Sequence, residues 1–387
     1  MTLAGMPNLD PLPSGLSAKE IIVWSIQRWI ARGALPPGGR LPPVRQLATH
    51  FTVDKNTAAK SCRILLASGV VRRVGQRNRA HLEVAPRPVS HPLSHTVIVI
   101  TSLHPDQIAG PAAPGRGVRV IAGLLEGLRE AGLDVLFAHP DVVGPERFTA
   151  WAGGYPAGLI LAGPLSPEVL ALLASQQRPD LPIIAHADLV DLQSADRVGS
   201  DHAAGGAALV AHLASRGRRR LAPLVPSDLD QLPWLRARLD GYREGATRCG
   251  IELLPERIVP CAADASDKAF RDVTPHLAGA LADLLTGPLP PDALIALNDG
   301  HAVCVSAACR LLHRAVPTTV AVAGYDHLLP DLTPVQRDGA ALSCTMDKNN
   351  EVIGRELARL LIERRAGRLP TLPQQVLIPP RLIDWEK

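Results

Sequence analysis

Basic, amide and hydroxyl side chains follow one another directly after Asp54. They are Lys55, Asn56 and Thr57, at the start of a segment whose apolar spacing predicts a short helix. Lysine can donate to guanine, asparagine can pair through two hydrogen bonds with adenine, and threonine suits a phosphate or a thymine methyl group. The first turn of a recognition helix is the part that enters a DNA major groove. These three residues are therefore candidate DNA contacts.

Two further arginines, Arg77 and Arg79, lie between two predicted strands. At the tip of a β-hairpin they could reach a phosphate or an adjacent minor groove. Residues 1–90 hold 13 Lys and Arg against 4 Asp and Glu, whereas the remainder holds 28 against 33. A basic segment joined to a mildly acidic one is expected when only the first meets a polyanion. The alternative is that these charges solvate the surface of a winged helix that binds protein.

The candidate DNA contacts need a small helical domain to hold them, and the sequence predicts one over residues 17–85. Ser17 followed by Glu20 has the capping-box spacing, and the apolar residues after it recur with a helical period. This helix should end near Gly33, before a Pro-Pro-Gly-Gly turn at residues 36–39. The other predicted elements are helices over residues 44–51 and 54–68 and strands over residues 70–74 and 81–84. Three helices followed by a basic hairpin indicate a winged helix-turn-helix.

Two further segments with different sequence patterns follow this domain. Residues 86–95 begin with three prolines in seven residues, which predicts an extended, fairly stiff linker. Residues 96–385 then alternate short apolar strands with amphipathic helices, a pattern typical of α/β proteins whose parallel sheets are covered on both faces. The strands are too many for one comfortable sheet, so we expect two Rossmann-like lobes. A ligand in such a fold binds at the carboxyl ends of the strands, here the cleft between the lobes.

Several classes of protein are disfavoured by what the sequence lacks. The six cysteines form no C-x-x-C pair, so we expect neither a metal site nor a redox motif. A dinucleotide fingerprint, a Walker A lysine, a nucleophile elbow and an H-E-x-x-H motif are all missing, so we expect no enzyme and no cofactor. No apolar run reaches the ~18 residues of a membrane span, and the first residues do not resemble a secretion signal. These observations predict a cytoplasmic protein.

Two motifs give the first domain a resemblance to the GntR family of winged helix-turn-helix regulators. They are GGRLPPVRQLA at residues 38–48 and VDKNTA at residues 53–58. The resemblance implies DNA binding, and it places Arg45 where the family uses an arginine for a backbone or base contact. The family usually has Ser-Arg where this chain has Asp54 and Lys55. A later family arginine corresponds to Ala59, so Lys60 beside it is the nearest cation to take that role.

Four motifs give the rest of the chain a resemblance to the effector domain of LacI/GalR regulators, which is similar to periplasmic sugar-binding proteins. They are DHAAGG at residues 201–206 with HL at 212–213 and GRR at 217–219, RLDGY at 238–242, PDALIALND at 291–299 and VAVAGYD at 320–326. Such a body behind a GntR-type head resembles the arabinose repressor subfamily. The resemblance implies a homodimer on double-stranded DNA, with a small molecule bound between the lobes.

The same resemblance implies which residues contact the effector. Arg238, Asn298 and Asp326 match family contacts, and Asp347 matches a further polar one. This mixture suits a sugar-like polyol, because aspartate accepts from hydroxyl groups, arginine donates a planar fork and asparagine does both. The alternatives left open at this stage are helix capping for Asp201 and Asp299, and a place in the core for the two tryptophans that could form a sugar platform, Trp151 and Trp234.

The sequence as a whole predicts a regulator of transcription, more specifically a repressor, that responds to a sugar-like effector. The fold class is α/β, with an N-terminal winged helix-turn-helix and a two-lobed periplasmic-binding-protein-type domain. The alternative is an orphan regulator of the same architecture, which binds no sugar and responds to another metabolite or to a protein.

Overall fold

The computed structural model describes residues 17–31, 34–75, 80–85, 93–103, 116–153, 155–175, 181–226, 232–262, 266–337 and 340–386. Its first part is a helical head carrying a two-stranded sheet. The head consists of helices α1 (Ala18–Ala31), α2 (Val44–His50) and α3 (Lys55–Ala67), followed by antiparallel strands β1 (Val71–Val74) and β2 (His81–Val84). The winged helix-turn-helix predicted from the sequence is thereby confirmed.

The head is held together by the apolar stripe of α1. Ile22, Ile26 and Trp29 are buried on this stripe and pack against apolar residues of α2, α3 and both strands. The Trp29 ring stacks on Phe51 with 5.6 Å between ring centroids. At the start of α1 the backbone N–H of Ser17 donates to Glu20 Oε2 at 2.8 Å, which forms one half of the predicted capping box. The exposed faces of α2 and α3 are thus fixed on a common core.

The body contains two lobes, each built on its own sheet. The first lobe has a six-stranded sheet whose strands are all parallel, in the order β14-β7-β6-β5-β3-β4. Its strands are β3 (Thr96–Ile100), β4 (Asp134–Ala138), β5 (Gly158–Leu161), β6 (Ile183–His186), β7 (Asp196–Ser200) and β14 (Gln375–Ile378). Its helices are α4 (Arg116–Glu130), α5 (Pro145–Gly153), α6 (Pro167–Ser175) and α12 (Asn350–Arg365), with a 3-10 turn at Pro140–Val142.

The second lobe has a seven-stranded sheet in the order β10-β8-β11-β12-β13-β15, with β9 beside β8. All its pairings are parallel except that of β13 with β15. The strands are β8 (Arg220–Pro226), β9 (Glu252–Leu253), β10 (Arg257–Val259), β11 (Ala293–Ile295), β12 (Ala321–Tyr325), β13 (Cys344–Asp347) and β15 (Arg381–Asp384). The helices are α7 (His202–Ser215), α8 (Pro233–Cys249), α9 (Asp267–Thr286), α10 (Asp299–Leu311) and α11 (Pro334–Arg337), with a 3-10 turn at Leu329–Asp331.

Among the residues that the structure describes, the chain passes between the lobes at three short crossings. The first lies between β7 and α7 and consists of Asp201 alone. The second lies between β13 and α12 and consists of Lys348 and Asn349, and the third joins β14 to β15 through Pro379 and Pro380. All three crossings connect the same two sheets. The cleft between the lobes therefore lies beside the carboxyl ends of the strands that lead into the crossings, which are β7, β13 and β14.

Glycines bring one pair of helices in each lobe into backbone contact. In the first lobe, a methyl group on Gly123 of α4 would lie 2.0 Å from the carbonyl oxygen of Glu351 in α12. In the second lobe, a methyl group on Gly241 of α8 would lie 2.1 Å from the carbonyl oxygen of Ala203 in α7. Any larger residue at either position would overlap the opposing backbone, so each helix pair is packed at its closest separation.

The two strands of the head agree with their predicted ranges to within one residue, and the alternation of strands and helices expected of the body is present in both lobes. The sequence pattern did not indicate β7, β9, β14 and β15. Three of these, β7, β14 and β15, flank two of the crossings. The predicted linker over residues 86–95 lies mainly outside the described residues, and the domain boundaries stay a prediction. None of the helices within the described ranges is both long and apolar enough to span a membrane. Nor do three or more His, Cys, Asp or Glu side chains of the described residues gather to hold a metal ion.

Candidate nucleic-acid interface and effector cleft

The first turn of α3 is fixed by a cap at Asp54. One carboxylate oxygen, Oδ1, accepts from the backbone N–H groups of Asn56 at 2.8 Å and Thr57 at 3.0 Å. The other oxygen, Oδ2, accepts from the Thr57 hydroxyl at 2.5 Å. The hydrogen bonds from the side chain and backbone of Thr57 lower the pKa of Asp54, so the cap is ionised at neutral pH. The aspartate that replaces the usual serine of the family therefore still begins the helix.

The predicted DNA contacts of the head are mostly presented to solvent. Lys55, Asn56 and Lys60 on α3 and Arg45 on α2 are exposed, whereas Thr57 is half-buried and its hydroxyl is engaged with Asp54. Arg77 and Arg79 lie outside the described residues. These exposed residues lie on two helices that pack on one core, and we call them together the basic surface of the head.

Two exposed arginines of the wing were not singled out in the sequence. Arg72 and Arg73 follow one another on β1, and Arg72 lies 3.7 Å from Glu83 on β2. Alternation with buried Val71 was the available signal for Arg72, because a residue next to an inward-facing one on a strand points outward, whereas Arg73 is exposed without following this alternation. The described part of the wing therefore adds to the basic surface.

The guanidinium of Arg238 is buried in the second lobe, beside the carboxyl ends of β11 and β12. It projects from α8, is 2% exposed and donates to the carbonyl oxygen of Leu297 at 2.7 Å. A second nitrogen lies 3.3 Å from His202 Nδ1. The guanidinium carbon lies 3.5 Å from the ring centroid of Tyr325 and 5.0 Å from that of Trp234. Cation–π contacts of this kind hold an arginine in place while its remaining N–H groups stay available.

Asp326 lies at the carboxyl end of β12, where the backbone takes an unusual conformation. Its φ is 81°, in the region that non-glycine residues seldom adopt, and its N–H donates to the carbonyl oxygen of Met346 at 2.7 Å. The carboxylate is 2% exposed and lies 3.7 Å from the Nζ of Lys348. A strained backbone that aims a buried charge into a cleft is typical of functional sites.

Two residues that the sequence analysis missed join Asp326 to the first lobe. Lys348, in the second crossing, also lies 3.0 Å from Asp188 Oδ2, just after β6. Asp188 Oδ2 is in turn 3.1 Å from His202 Nε2. Burial alone would raise the pKa of Asp188, but the charge of Lys348 and the contact with His202 hold that pKa well below its ordinary value. Asp188 is therefore a buried, ionised carboxylate.

These contacts form a continuous series across the cleft, which we call the polar chain. It consists of Arg238, His202, Asp188, Lys348 and Asp326, in that order. Two of its members were predicted from the sequence. Asp188 and Lys348 could have been found from the sequence because each lies just after a strand, and the carboxyl ends of the strands meet at the cleft.

The other two predicted effector contacts have structural roles in this arrangement. Asn298 caps α10 and its Oδ1 accepts from the backbone N–H of His301 at 2.9 Å. Asp347 accepts from the N–H of Asn349 at 2.9 Å and pairs with Arg381 at 3.2 Å. Both still lie at strand ends beside the cleft, so an effector contact from either one stays a prediction.

The alternatives left open by the sequence are resolved differently for each residue. Asp201 does cap α7, accepting from Ala204 N at 2.9 Å. Asp299 is fully buried, and its Oδ2 accepts from the N–H groups of Leu328 at 2.7 Å and Leu329 at 3.1 Å. Trp234 packs on the core of the second lobe, with its ring centroid 5.0 Å from the guanidinium carbon of Arg238. Trp151 likewise packs on the core of the first lobe.

Two buried histidines near the cleft are neutral at physiological pH. Burial lowers the pKa of His301 to about 4, and it also lowers that of His186 to about 4. His301 Nδ1 accepts from the N–H of Leu297 at 3.3 Å, a role that only an unprotonated nitrogen can fill. Burial within the second lobe accounts for the lowered pKa of His301.

The neutral state of His301 predicts a specific sensitivity to acid. Its folded pKa of about 4 lies below the ordinary value of 6.5, so the unfolded chain binds the proton first as the pH falls. Stability is then lost between pH 6.5 and about 4, by up to roughly 1.4 kcal/mol per pH unit. We expect H301Q, measured by calorimetry, to lose less melting temperature between about pH 7 and pH 5 than the wild type does. The exposed control H276Q should match the wild type, and equal losses in H301Q and the wild type would contradict the assignment.

Comparison with known proteins matches the two parts of the chain separately. Residues 18–78 match the family described as bacterial regulatory proteins, gntR family, and residues 210–385 match the periplasmic binding protein-like domain. The HTH-type transcriptional regulator CelR of Thermobifida fusca is 29% identical over 197 residues, covering 49% of this chain and 51% of that protein. The ribose operon repressor of Escherichia coli (strain K12) is 29% identical over 184 residues, covering 47% and 50%. The chain thus spans about half the length of the curated relatives it matches.

A solved structure extends the likeness in fold to most of the chain. The complex of the transcriptional regulator CelR with cellobiose is 20% identical, with a TM-score of 0.56, and covers 89% of this chain and 98% of that one. At this level of identity the likeness concerns the fold alone. The matched segments coincide with the head and, for the most part, with the second lobe and the crossings described above.

Proposed function

We propose that this chain, in which a gntR-type winged helix-turn-helix precedes a periplasmic-binding-protein-like body, is a DNA-binding transcriptional regulator controlled by a small molecule. The observation that carries the proposal is the pairing of an exposed basic surface on the head with a buried polar chain between two lobes. Each of these features lies in a different domain, as expected of a protein that converts binding at one site into a change at another. The relatives named above are a transcriptional regulator and a repressor, which favours repression.

On the DNA side, α3 is the recognition helix. Asp54 fixes its first turn, which leaves Lys55 and Asn56 free to enter a major groove while Arg45 on α2 contacts the flanking backbone. Arg77 and Arg79 would contact phosphate or the minor groove beside the half-site. A homodimer would place two such heads on a pseudo-palindromic operator, each head reading one half-site.

On the effector side, the polar chain suits a ligand rich in hydroxyl groups. Asp188 and Asp326 offer carboxylate acceptors, Arg238 and Lys348 offer donors, and Trp234 offers an apolar face beside them. A polyol can both donate and accept, so it can satisfy the two kinds of group at once. We therefore propose a sugar-like effector, as in the CelR–cellobiose complex that shares the fold.

Control of DNA binding requires that the effector bind one arrangement of the lobes more tightly than another. An effector with equal affinity for both arrangements would leave their populations unchanged. The three short crossings allow the lobes to move as units about the cleft. Movement of the first lobe would be passed to the heads and alter the spacing between them on the operator. Loss of DNA binding on effector binding is the sign that fits a repressor.

The alternative is an orphan regulator of the same architecture that responds to another metabolite or to a protein. A thermal-shift screen of the full chain against free sugars, sugar phosphates and nucleosides separates the two. At a hundred times its dissociation constant, a specific effector should raise the melting temperature by roughly 5 °C. The hit should also release the chain, in a gel-shift assay, from a DNA site that the full chain has selected from random DNA. A panel that produces no shift, with DNA binding intact, would favour the orphan.

A further inference from the structure

A second set of contacts joins the lobes away from the polar chain. Arg119, in the first turns of α4 in the first lobe, donates to the carboxylate of Asp331 in the second lobe at 2.5 Å. Its other terminal nitrogen donates to the carbonyl oxygen of His327 at 3.0 Å. The side chains of Arg119 and Asp331 are 18% and 10% exposed, so the pair is only partly screened by water. We call these contacts the lobe latch.

The second-lobe end of the latch cannot follow a movement of the first lobe. The segment from His327 to Asp331 is fixed at its base by Asp299, whose carboxylate accepts from the N–H groups of Leu328 and Leu329. The same carboxylate accepts from the Thr345 hydroxyl at 2.6 Å. Because Asp299 is fully buried in the second lobe, this segment moves only with that lobe.

The first-lobe end is equally fixed. Arg119 is next to Val120, which is buried in the core that α4 shares with α12. A methyl group on Gly354 of α12 would lie 2.0 Å from the carbonyl oxygen of Val120. Because α4 and α12 are packed this closely, α4 cannot slide along α12 by the several ångströms that would keep Arg119 in contact with Asp331 during a movement of the lobes.

We propose that the lobe latch stabilises the arrangement of the two lobes described here relative to other arrangements, and that it opens when the lobes rotate. Both anchors are rigid, so a rotation about the crossings must break the two Arg119 hydrogen bonds rather than bend either end. The latch thus sets the balance between two lobe arrangements. It goes beyond the proposed function because it needs no effector, and it can be tested on the ligand-free chain.

The test measures the distance between the lobes directly. Spin labels carried by non-natural amino acids at exposed positions 146 on α5 and 268 on α9 leave the native cysteines untouched. In ligand-free full-length protein, pulsed electron resonance should show one main distance. Arg119→Asp should add a population at a different distance, increased about fivefold to tenfold over any minor population of the parent. Arg119→Asp combined with Asp331→Arg should return the distribution toward that of the parent.

The control is Arg129→Asp, the same charge change at an exposed position of the same helix. It should leave the distances unchanged. Arg119→Gln removes the hydrogen bonds without adding a negative charge, and it serves if the reversed variant does not fold. The proposal is overturned if both Arg119 variants keep the parent distribution, or if Arg119→Asp alters it and the double exchange restores nothing. Neither outcome bears on DNA binding or on the effector screen, so the proposed function is tested separately.

Discussion

Replacement of Arg45 and Lys55 by alanine should weaken binding to a specific DNA site by more than about 100-fold and leave the affinity for an effector unchanged. Each good side-chain contact to a base contributes roughly 1–3 kcal/mol of discrimination, and the two residues lie on adjacent helices of one exposed surface. Neither side chain contributes to the core of the head, so its folding should be unaffected. Fluorescence anisotropy with a labelled site selected from random DNA by the full chain measures the loss.

The matched control removes two positive charges from the body instead. Arg248 and Lys268 are exposed and pair only with acidic neighbours one turn away in their own helices. Alanine at both should change DNA affinity by less than about twofold, because long-range attraction to DNA is screened over roughly 8–10 Å. Equal losses in the two double variants would show that net charge, rather than the surface of α2 and α3, governs binding, and would refute the head assignment.

The second large effect is expected from Asp326→Asn. Asparagine keeps the shape of the side chain and tolerates the left-handed backbone at φ 81°, so the site should fold. The change removes the negative charge that Lys348 faces at 3.7 Å and that we propose accepts from effector hydroxyl groups. Hydrogen bonds to charged groups are worth about 1.5–3 kcal/mol, so the sugar concentration needed to release DNA should rise by roughly 10- to 100-fold.

This experiment uses the effector found in the thermal-shift screen, and it reads DNA release and sugar affinity in parallel. Affinity for DNA without sugar should remain that of the wild type. Asp272→Asn, on the exposed face of α9, supplies a control with the same chemical change outside the cleft. A normal response to sugar in Asp326→Asn would place the effector site elsewhere.

The head could be predicted almost completely from the sequence because its determinants are local. Capping at Ser17 and Asp54, the helical period of the apolar residues and the break at Gly69 all act within a few residues of one another. Lys55 and Asn56 were placed correctly on the first turn of α3 for the same reason. The engagement of the Thr57 hydroxyl was missed because a threonine three residues after an aspartate can serve either the cap or the DNA.

The cleft could be predicted only in part because its contacts join distant segments. Asp188 and Lys348 are 160 residues apart, and no local pattern indicates that they meet. Arg238 and Asp326 were found through the motifs around them, whereas the same reasoning could not tell that Asn298 caps α10. The strands β14 and β15 were missed because their short alternating segments lie beyond the last helix, where a β-α rhythm no longer guides the prediction.

The crossings also determine how stiff the joint between the lobes can be. The glycine-packed helices α7 and α12 begin immediately after two of them, and two consecutive prolines make up the third. Bending is therefore confined to a handful of backbone torsions in Asp201, Lys348 and Asn349, of which Asn349 already has a φ of 58°. Such a joint confines the movement of the lobes to rotation about these few torsions, so that a displacement at the cleft produces a proportionate displacement of the lobe surface far from it. Insertion of a single glycine into a crossing should therefore uncouple effector binding at the cleft from DNA binding by the head, while the fold of the body and that of the head stay unchanged.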